Sequence, residues 1–150
     1  MITLTDIAAL GGLIFGLTGM ILGIMNYLRD KPKITIKLKW DMQAFGDPRY
    51  SRDKLWGVVT VTNTGRRPIY ISHIHLKLPK GYDNTHLLLS EGIKGDKIEE
   101  GDEPKNYMID QQSLSDYSKA WNKIYAIAID STGKEYKSNK TKEQPSWAKN

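Results

Sequence analysis

The chain of 150 residues contains no cysteine, and from Ile7 to Met25 it contains no charged residue. The lack of cysteine excludes a disulfide scaffold, a cysteine-ligated zinc or iron–sulfur site and a thiol nucleophile. Extended to Leu28, the uncharged run covers about 30 Å as a helix, which is enough to cross the hydrocarbon core of a bilayer. We therefore predict a transmembrane helix within residues 1–28, preceded by a short N-terminus.

The charges that flank this run are asymmetric. Asp6 is the only charged residue before it, whereas five cations follow closely: Arg29, Lys31, Lys33, Lys37 and Lys39. Because cytoplasmic flanks of membrane helices are rich in Lys and Arg, we expect a single-pass protein of the plasma (inner) membrane with its N-terminus outside and its C-terminal domain in the cytoplasm. A cleaved signal peptide would instead show a basic n-region, a shorter apolar core and a small-x-small cleavage site, and these patterns are missing.

Besides indicating the orientation, the cations that directly follow the predicted helix are expected to bind the membrane surface. Each Lys or Arg close to an anionic leaflet contributes about 1 kcal/mol of membrane attraction. We therefore expect Arg29, Lys31 and Lys33 to contact lipid headgroups.

Small residues form a stripe along the predicted helix. Gly12, Gly16, Gly19 and Gly23 recur at spacings of four, three and four, and Ala8 continues the stripe by one turn. In lipid, such small-xxx-small faces allow close approach of two helix backbones. Two interpretations stay open: the stripe mediates dimerisation or docking on a partner helix, or it reflects the general abundance of glycine in membrane helices.

The sequence after residue 29 is typical of a mainly β domain. Apolar and polar residues alternate over residues 33–40, which predicts a half-buried strand. Further strands are predicted at 55–62, 69–78, 85–89, 105–109, 122–129 and 134–138, separated by turns. A capping box at Ser113 and Asp116, with Leu114, Tyr117 and Trp121 at helical spacing, predicts one short helix.

These elements predict a transmembrane helix (1–28), an immunoglobulin-like antiparallel β-sandwich (29–138) and a tail (139–150). A small barrel is the alternative to the sandwich. The tail is polar, lysine-rich and aperiodic, so we expect it to be flexible. Trp147 is its only large apolar residue, and it is either an isolated side chain or a docking anchor.

Three stretches carry a family resemblance: VVTVTNTGRRPIYI at 58–71, IEEGDE at 98–103 and IYAIAIDSTGK at 124–134. Following an apolar helix and a basic juxtamembrane stretch, they make the chain resemble small single-pass bacterial and prophage-encoded membrane proteins of unknown function with a cytoplasmic β-sandwich. The resemblance covers most of residues 7–138. It implies the architecture, and it supplies no catalytic residues.

Candidate residues for chemistry are few. His73 and His75 lie two apart on a predicted strand and so share a face, and His86 is the third possible ligand of a metal site. No acidic residue lies at a supporting spacing, so we expect no metal, no cofactor and no catalytic residue. The chain also lacks a phosphate-binding loop and a nucleophile elbow. Its cations are spread over strand faces, which disfavours nucleic-acid binding.

The patterns together favour a membrane-anchored, non-enzymatic interaction or scaffold module. Its helix is expected to self-associate or to pair with a partner helix, and its partners are membrane lipids and a protein. Two alternatives stay open: a phage- or prophage-encoded envelope protein for superinfection exclusion or defence, and a ligand-sensing β domain that uses His73, His75 or the acidic loop at 91–103. Convergence of the histidines in one concave pocket would favour the ligand sensor.

Overall fold

In the computed structural model, which describes residues 3–149, a long helix precedes two antiparallel sheets. Helix α1 (Leu4–Arg29) begins with a capping box, in which Thr3 Oγ1 accepts from the Asp6 amide (3.2 Å) and the Asp6 carboxylate accepts from the Thr3 amide (2.9 Å). The helix ends where the Asp30 amide donates to the Asn26 carbonyl (2.9 Å). The prediction of one long N-terminal helix is confirmed.

Within residues 3–149, eight strands follow the helix. They are β1 (Ile34–Gln43), β2 (Leu55–Asn63), β3 (Ile69–Lys77), β4 (His86–Leu88), β5 (Asp96–Ile98), β6 (Lys105–Asp110), β7 (Tyr125–Asp130) and β8 (Glu135–Lys137). The first sheet has the order β1-β2-β6, and the second has the order β4-β3-β7-β8 with β5 also paired to β3. All pairs are antiparallel, so the mainly β fold class is confirmed.

The two sheets share one hydrophobic core. Alternate side chains along each strand point into this core. Among the buried ones are Leu38 and Trp40 from β1, Val59 from β2 and Leu76 from β3. Leu114, Tyr117 and Trp121 also pack on this core, as their predicted spacing indicates.

The short helix differs from its prediction in start and type. It is a 3₁₀ segment over Gln111–Lys123 with non-helical backbone at Ala120. Asp110 is the N-cap, because its carboxylate accepts from the Gln112 amide (3.1 Å). The predicted capping box is wrong, since Ser113 Oγ donates to the Asp110 carbonyl (2.7 Å).

The expectation of a flexible tail is wrong for residues 145–148. Pro145, Trp147 and Ala148 are buried, and Trp147 and Ala148 belong to the core. The indole of Trp147 packs edge-on against Trp40 at a ring-centroid distance of 5.6 Å. The burial of a single tryptophan in a polar stretch depends on tertiary contacts, which the local pattern of the sequence does not predict. Trp147 therefore anchors the chain end on its own domain.

The acidic loop is also more structured than its composition indicates. Ser90–Ile93 forms a 3₁₀ turn, and β5 pairs with β3. Ile98 in this segment is completely buried. Ile98 and the pairing of β5 with β3 thus hold the segment on the second sheet.

Candidate functional site

Helix α1 has no buried residue, although most of its side chains are apolar. Its 26 residues extend about 39 Å at 1.5 Å per residue, which exceeds the roughly 30 Å hydrocarbon core of a bilayer. Thr18 Oγ1 donates to the Ile14 carbonyl (2.8 Å), so this hydroxyl is satisfied within the helix. Within residues 3–149, α1 is the one helix long and apolar enough to cross a membrane.

The predicted helix-packing residues lie on an open face of α1. Ala8 is exposed. A methyl group added at Gly12, Gly16, Gly19 or Gly23 would meet no atom within 4 Å. The face therefore has room for the backbone of another helix.

The predicted lipid-headgroup residues Arg29, Lys31 and Lys33 are exposed at the C-terminal end of α1. Arg29 donates to Asn26 Oδ1 (2.9 Å), and the Lys31 ammonium lies 4.9 Å from the centroid of the Tyr27 ring. An aromatic ring beside long cationic side chains is the usual composition of a membrane–water boundary.

The segment after α1 is bound to the turn between β2 and β3. The Thr64 amide and hydroxyl both donate to the Lys33 carbonyl (2.8 and 3.2 Å). Gly65 lies so close that a Cβ there would be 2.5 Å from both the Lys31 carbonyl oxygen and the Lys33 amide nitrogen. Only glycine fits such a close backbone approach without a shift of the chain.

This contact brings further cations to the end of the helix. Arg66 and Arg67 follow Gly65 directly, and Arg67 and Lys134 line a cavity of about 210 Å³ together with Pro32. We name the six cations the helix-end collar: Arg29, Lys31, Lys33, Arg66, Arg67 and Lys134. The sequence predicts turns at 63–68 and 130–133 but not that they meet, because their meeting depends on tertiary packing.

The three histidines come together on the outer face of the second sheet. The rings of His73 and His75 are stacked with centroids 5.7 Å apart, and those of His75 and His86 meet edge to face at 5.0 Å. His73 and His75 lie on β3, and β4 pairs with β3 so that His86 is opposite Lys77. The sequence places the first two on one face, whereas the position of His86 depends on strand pairing.

The cross-strand register arranges these side chains in three rows. Residues directly opposite each other in adjacent strands share a face of the sheet. The rows across β4, β3, β7 and β8 are Leu88–His75–Ile127–Lys137, His73–Ile129–Glu135 and His86–Lys77–Tyr125. Together they line a cavity of about 480 Å³, which we name the three-histidine concavity.

Hydrogen bonds fix the tautomer of His86, whereas the ring of His75 makes no hydrogen bond to the described residues. Lys77 Nζ lies 2.8 Å from His86 Nε2, and an ammonium can only donate, so Nε2 is the acceptor. Thr85 Oγ1 lies 2.9 Å from His86 Nδ1. His75 is 8% exposed, and its ring has no hydrogen-bond partner among residues 3–149.

The surroundings of His75 oppose its protonation. Burial lowers the pKa of His75 first, and the nearby His86, His73 and Lys77 lower it further, whereas Glu135 acts in the opposite direction. Lys137 and Tyr125 complete the polar groups that line this concavity. His75 is therefore neutral at neutral pH.

We expect acidification to destabilise the domain through His75. Because its pKa is lower in the folded chain than in the unfolded chain, the unfolded chain takes up the proton first as pH falls below about 6.5. The free energy of unfolding, measured by urea denaturation, should therefore decrease between pH 7 and pH 5.5. The His75→Gln variant should lose this part of the pH dependence, and His86→Gln should keep most of it. An unchanged pH dependence in His75→Gln would contradict the assignment.

The histidines are not arranged as a metal centre. No group of three or more His, Asp or Glu among the described residues is placed to hold a metal ion. The rings of His73 and His75 are stacked on each other, and the Lys77 ammonium donates to Nε2 of His86. A cation at this point would meet a fixed positive charge.

A second cavity of about 620 Å³ has two tyrosines beside carboxylates. The Tyr50 hydroxyl donates to Glu91 and the Tyr107 hydroxyl donates to Asp96, both at 2.6 Å. Burial and then the bond to Glu91 raise the pKa of Tyr50 to about 12, and burial and Asp96 raise the pKa of Tyr107 in the same direction. Both phenols stay protonated at neutral pH, so they serve as hydrogen-bond donors rather than as general bases.

Comparison with known proteins does not assign the chain to a family. The sequence matches no protein-family model and no curated protein. The functional conclusion therefore depends on the exposed helix, the helix-end collar and the three-histidine concavity.

Proposed function

We propose that the protein is a membrane-anchored, non-enzymatic interaction module. The observation that carries this proposal is a 26-residue apolar helix with no buried residue, followed directly by the helix-end collar. Such an exposed surface is stable in lipid but not in water. The proposal assigns the cations at its end to contact with anionic headgroups, and it is supported by the three cations that the two turns add beyond Arg29, Lys31 and Lys33.

The proposed orientation puts the β domain in the cytoplasm. Asp6 is the only charged residue of residues 1–28, so residues 29–150 contain all 22 basic and 16 of the 17 acidic residues. The cations nearest the helix all lie on its C-terminal side, which favours retention of that side in the cytoplasm. A bacterial or prophage source and an immunoglobulin-like sandwich belong to the same proposal and rest on the resemblance described above.

Within the membrane, we propose that α1 pairs with a second helix, either of another copy or of a partner protein. The open stripe from Ala8 to Gly23 supports this pairing, because small side chains allow the close contacts that drive helix association in lipid.

A ligand-sensing β domain is the second candidate function. The specific observation in its favour is that His73, His75 and His86 converge in one concavity. Concave sites with a few convergent polar groups are the usual location of small-ligand binding.

Labelling with a membrane-impermeant maleimide tests anchoring and orientation. Because the chain has no cysteine, single cysteines at Thr5→Cys and Lys140→Cys report the two sides without background. In intact bacterial cells we expect labelling of Thr5→Cys, and of Lys140→Cys only after permeabilisation. The reverse pattern would contradict the orientation. Release of the protein by carbonate extraction, or a mature chain that begins after Tyr27, would contradict the membrane anchor.

Chemical cross-linking in native membranes tests helix pairing. Gly16→Ile fills the stripe, whereas Gly11→Ile adds the same side chain about 100° away from Gly12 around the helix. We expect Gly16→Ile to reduce the cross-linked fraction at least about tenfold. Gly11→Ile should retain it. Equal cross-linking in both variants, or monomer alone in the unsubstituted protein, would contradict pairing through the stripe.

A further inference from the structure

His75 is buried on the outer face of the second sheet without a polar partner. In its row, its two neighbours across the strands are Leu88 and Ile127, which are apolar. Its ring nitrogens are not among the buried unpaired atoms, so they reach the concavity. They are therefore open to solvent, and a ligand that enters the concavity can bond to them in place of water.

The charges around His75 favour an anionic ligand. Lys77 uses one of its three ammonium hydrogens on His86 and keeps two for other acceptors. Lys137 and Glu135 form an ion pair (3.3 Å), so Glu135 is partly neutralised. The concavity therefore presents one uncompensated ammonium beside imidazole rings. An oxyanion can accept hydrogen bonds from both, whereas a metal cation is repelled by Lys77.

The floor of the concavity is apolar. Ile127 is only 4% exposed although it lies on the face opposite the shared core, and Leu88 beside His75 is 51% exposed. This floor suits a ligand with an apolar part next to its anionic group.

His75 lies far from the collar along β3, although the concavity extends to Glu135, which follows the collar residue Lys134. Ile69 lines the same cavity as Pro32, and His75 is six residues further along β3, or about 20 Å at 3.4 Å per residue. His75 is therefore distant from lipid headgroups around α1, which favours a ligand from solution.

We propose that the three-histidine concavity binds a soluble oxyanion, a phosphate or carboxylate carried on a small organic molecule. The Lys77 ammonium and the imidazoles of His75 and His73 donate to the oxyanion, and Ile127 and Leu88 contact the apolar part. Bound negative charge favours the protonated form of His75, so ligand binding and proton uptake are linked and affinity increases as pH falls.

NMR titration of the full chain in neutral detergent micelles tests the proposal. The probes are sulfate, which keeps its charge between pH 6 and pH 8, and phenyl phosphate compared with inorganic phosphate. We expect saturable shifts of the His75 ring signals and sulfate binding at least about threefold tighter at pH 6 than at pH 8. Phenyl phosphate should bind more tightly than inorganic phosphate because its ring covers the apolar floor.

Two variants and a control decide whether the binding is specific. Lys77→Gln and His75→Gln should each weaken sulfate binding at least about fivefold. Lys105→Gln removes an exposed ammonium on the first sheet and should leave it unchanged. Unshifted His75 signals, equal weakening by Lys105→Gln, or a response to zinc but not to sulfate would each overturn the proposal. The inference rests on the ligand-sensing alternative, so its failure leaves the maleimide and cross-linking tests of the membrane anchor unaffected.

Discussion

Trp147→Ala is expected to lower the free energy of unfolding of the β domain by about 3–5 kcal/mol, the usual range for truncation of a buried tryptophan. The side chain is 8% exposed and packs edge-on against Trp40. Its removal would also expose the part of Trp40 that it covers. The Nε1 of Trp40 donates to Thr141 Oγ1 (3.0 Å), so this indole contacts the same C-terminal segment. Urea denaturation followed by near-ultraviolet circular dichroism measures the change.

Two companion variants separate packing from other effects. Trp147 Nε1 has no hydrogen-bond partner among the described residues, so Trp147→Phe loses no bond and should cost less than about 1.5 kcal/mol. Lys142→Ala changes an exposed side chain of the same segment and should stay within about 0.5 kcal/mol of the unsubstituted protein. A stable Trp147→Ala variant would mean that residues 145–148 do not pack on the core.

The attachment of this segment depends on residues far apart in the sequence. Asp41 has a positive φ of 58°, and its carboxylate accepts from the Ser146 amide (2.9 Å), from the Ser146 hydroxyl and from Gln111 Nε2 (2.8 Å). The Asp41 amide in turn donates to Gln111 Oε1 (3.0 Å). Three separate segments therefore meet at one carboxylate.

Elements with a strong local pattern could be predicted from the sequence. The alternation that ends at Trp40 predicts β1, and the uncharged run predicts α1, because each pattern follows from one period of side-chain direction. The attachment of Trp147 has no such period, and neither does β5, which has three residues and depends on pairing with β3. Local sequence does not specify elements that only tertiary contacts stabilise.

The residues of the candidate sites also fall into two groups: those that a local pattern predicts and those that only tertiary contacts bring to the site. The stripe from Ala8 to Gly23 and the pair of His73 and His75 follow from helical and strand periods. His86 and Arg67 are added to their sites by strand register and by contact between turns. The sequence thus predicts which residues share one element, and only the fold shows which elements meet.

Asn63 stabilises the turn between β2 and β3, which contains the collar residues Arg66 and Arg67. It is 4% exposed, and its side-chain amide donates to the carbonyls of Arg67 (2.8 Å) and Ile98 (3.0 Å). Its Oδ1 accepts from the Gly65 amide (3.0 Å). The side chain thus connects the end of β2, the turn with Arg66 and Arg67, and β5.

We expect Asn63→Ala to lower the free energy of unfolding by about 3 kcal/mol, because it leaves buried backbone groups without partners. The same change should loosen the turn, so that the Thr64 amide, which donates to the Lys33 carbonyl, exchanges with solvent deuterium at least about tenfold faster in native-state measurements. Asn106→Ala is the matched control, since this exposed residue accepts a single bond from Thr60 (2.8 Å) and should cost less than about 1 kcal/mol. Unchanged exchange at Thr64 in Asn63→Ala would show that the contact between the linker and the turn is maintained without Asn63. Faster exchange at Thr64 than at core amides of β2 would show that one buried side-chain amide couples the end of α1 to the β domain.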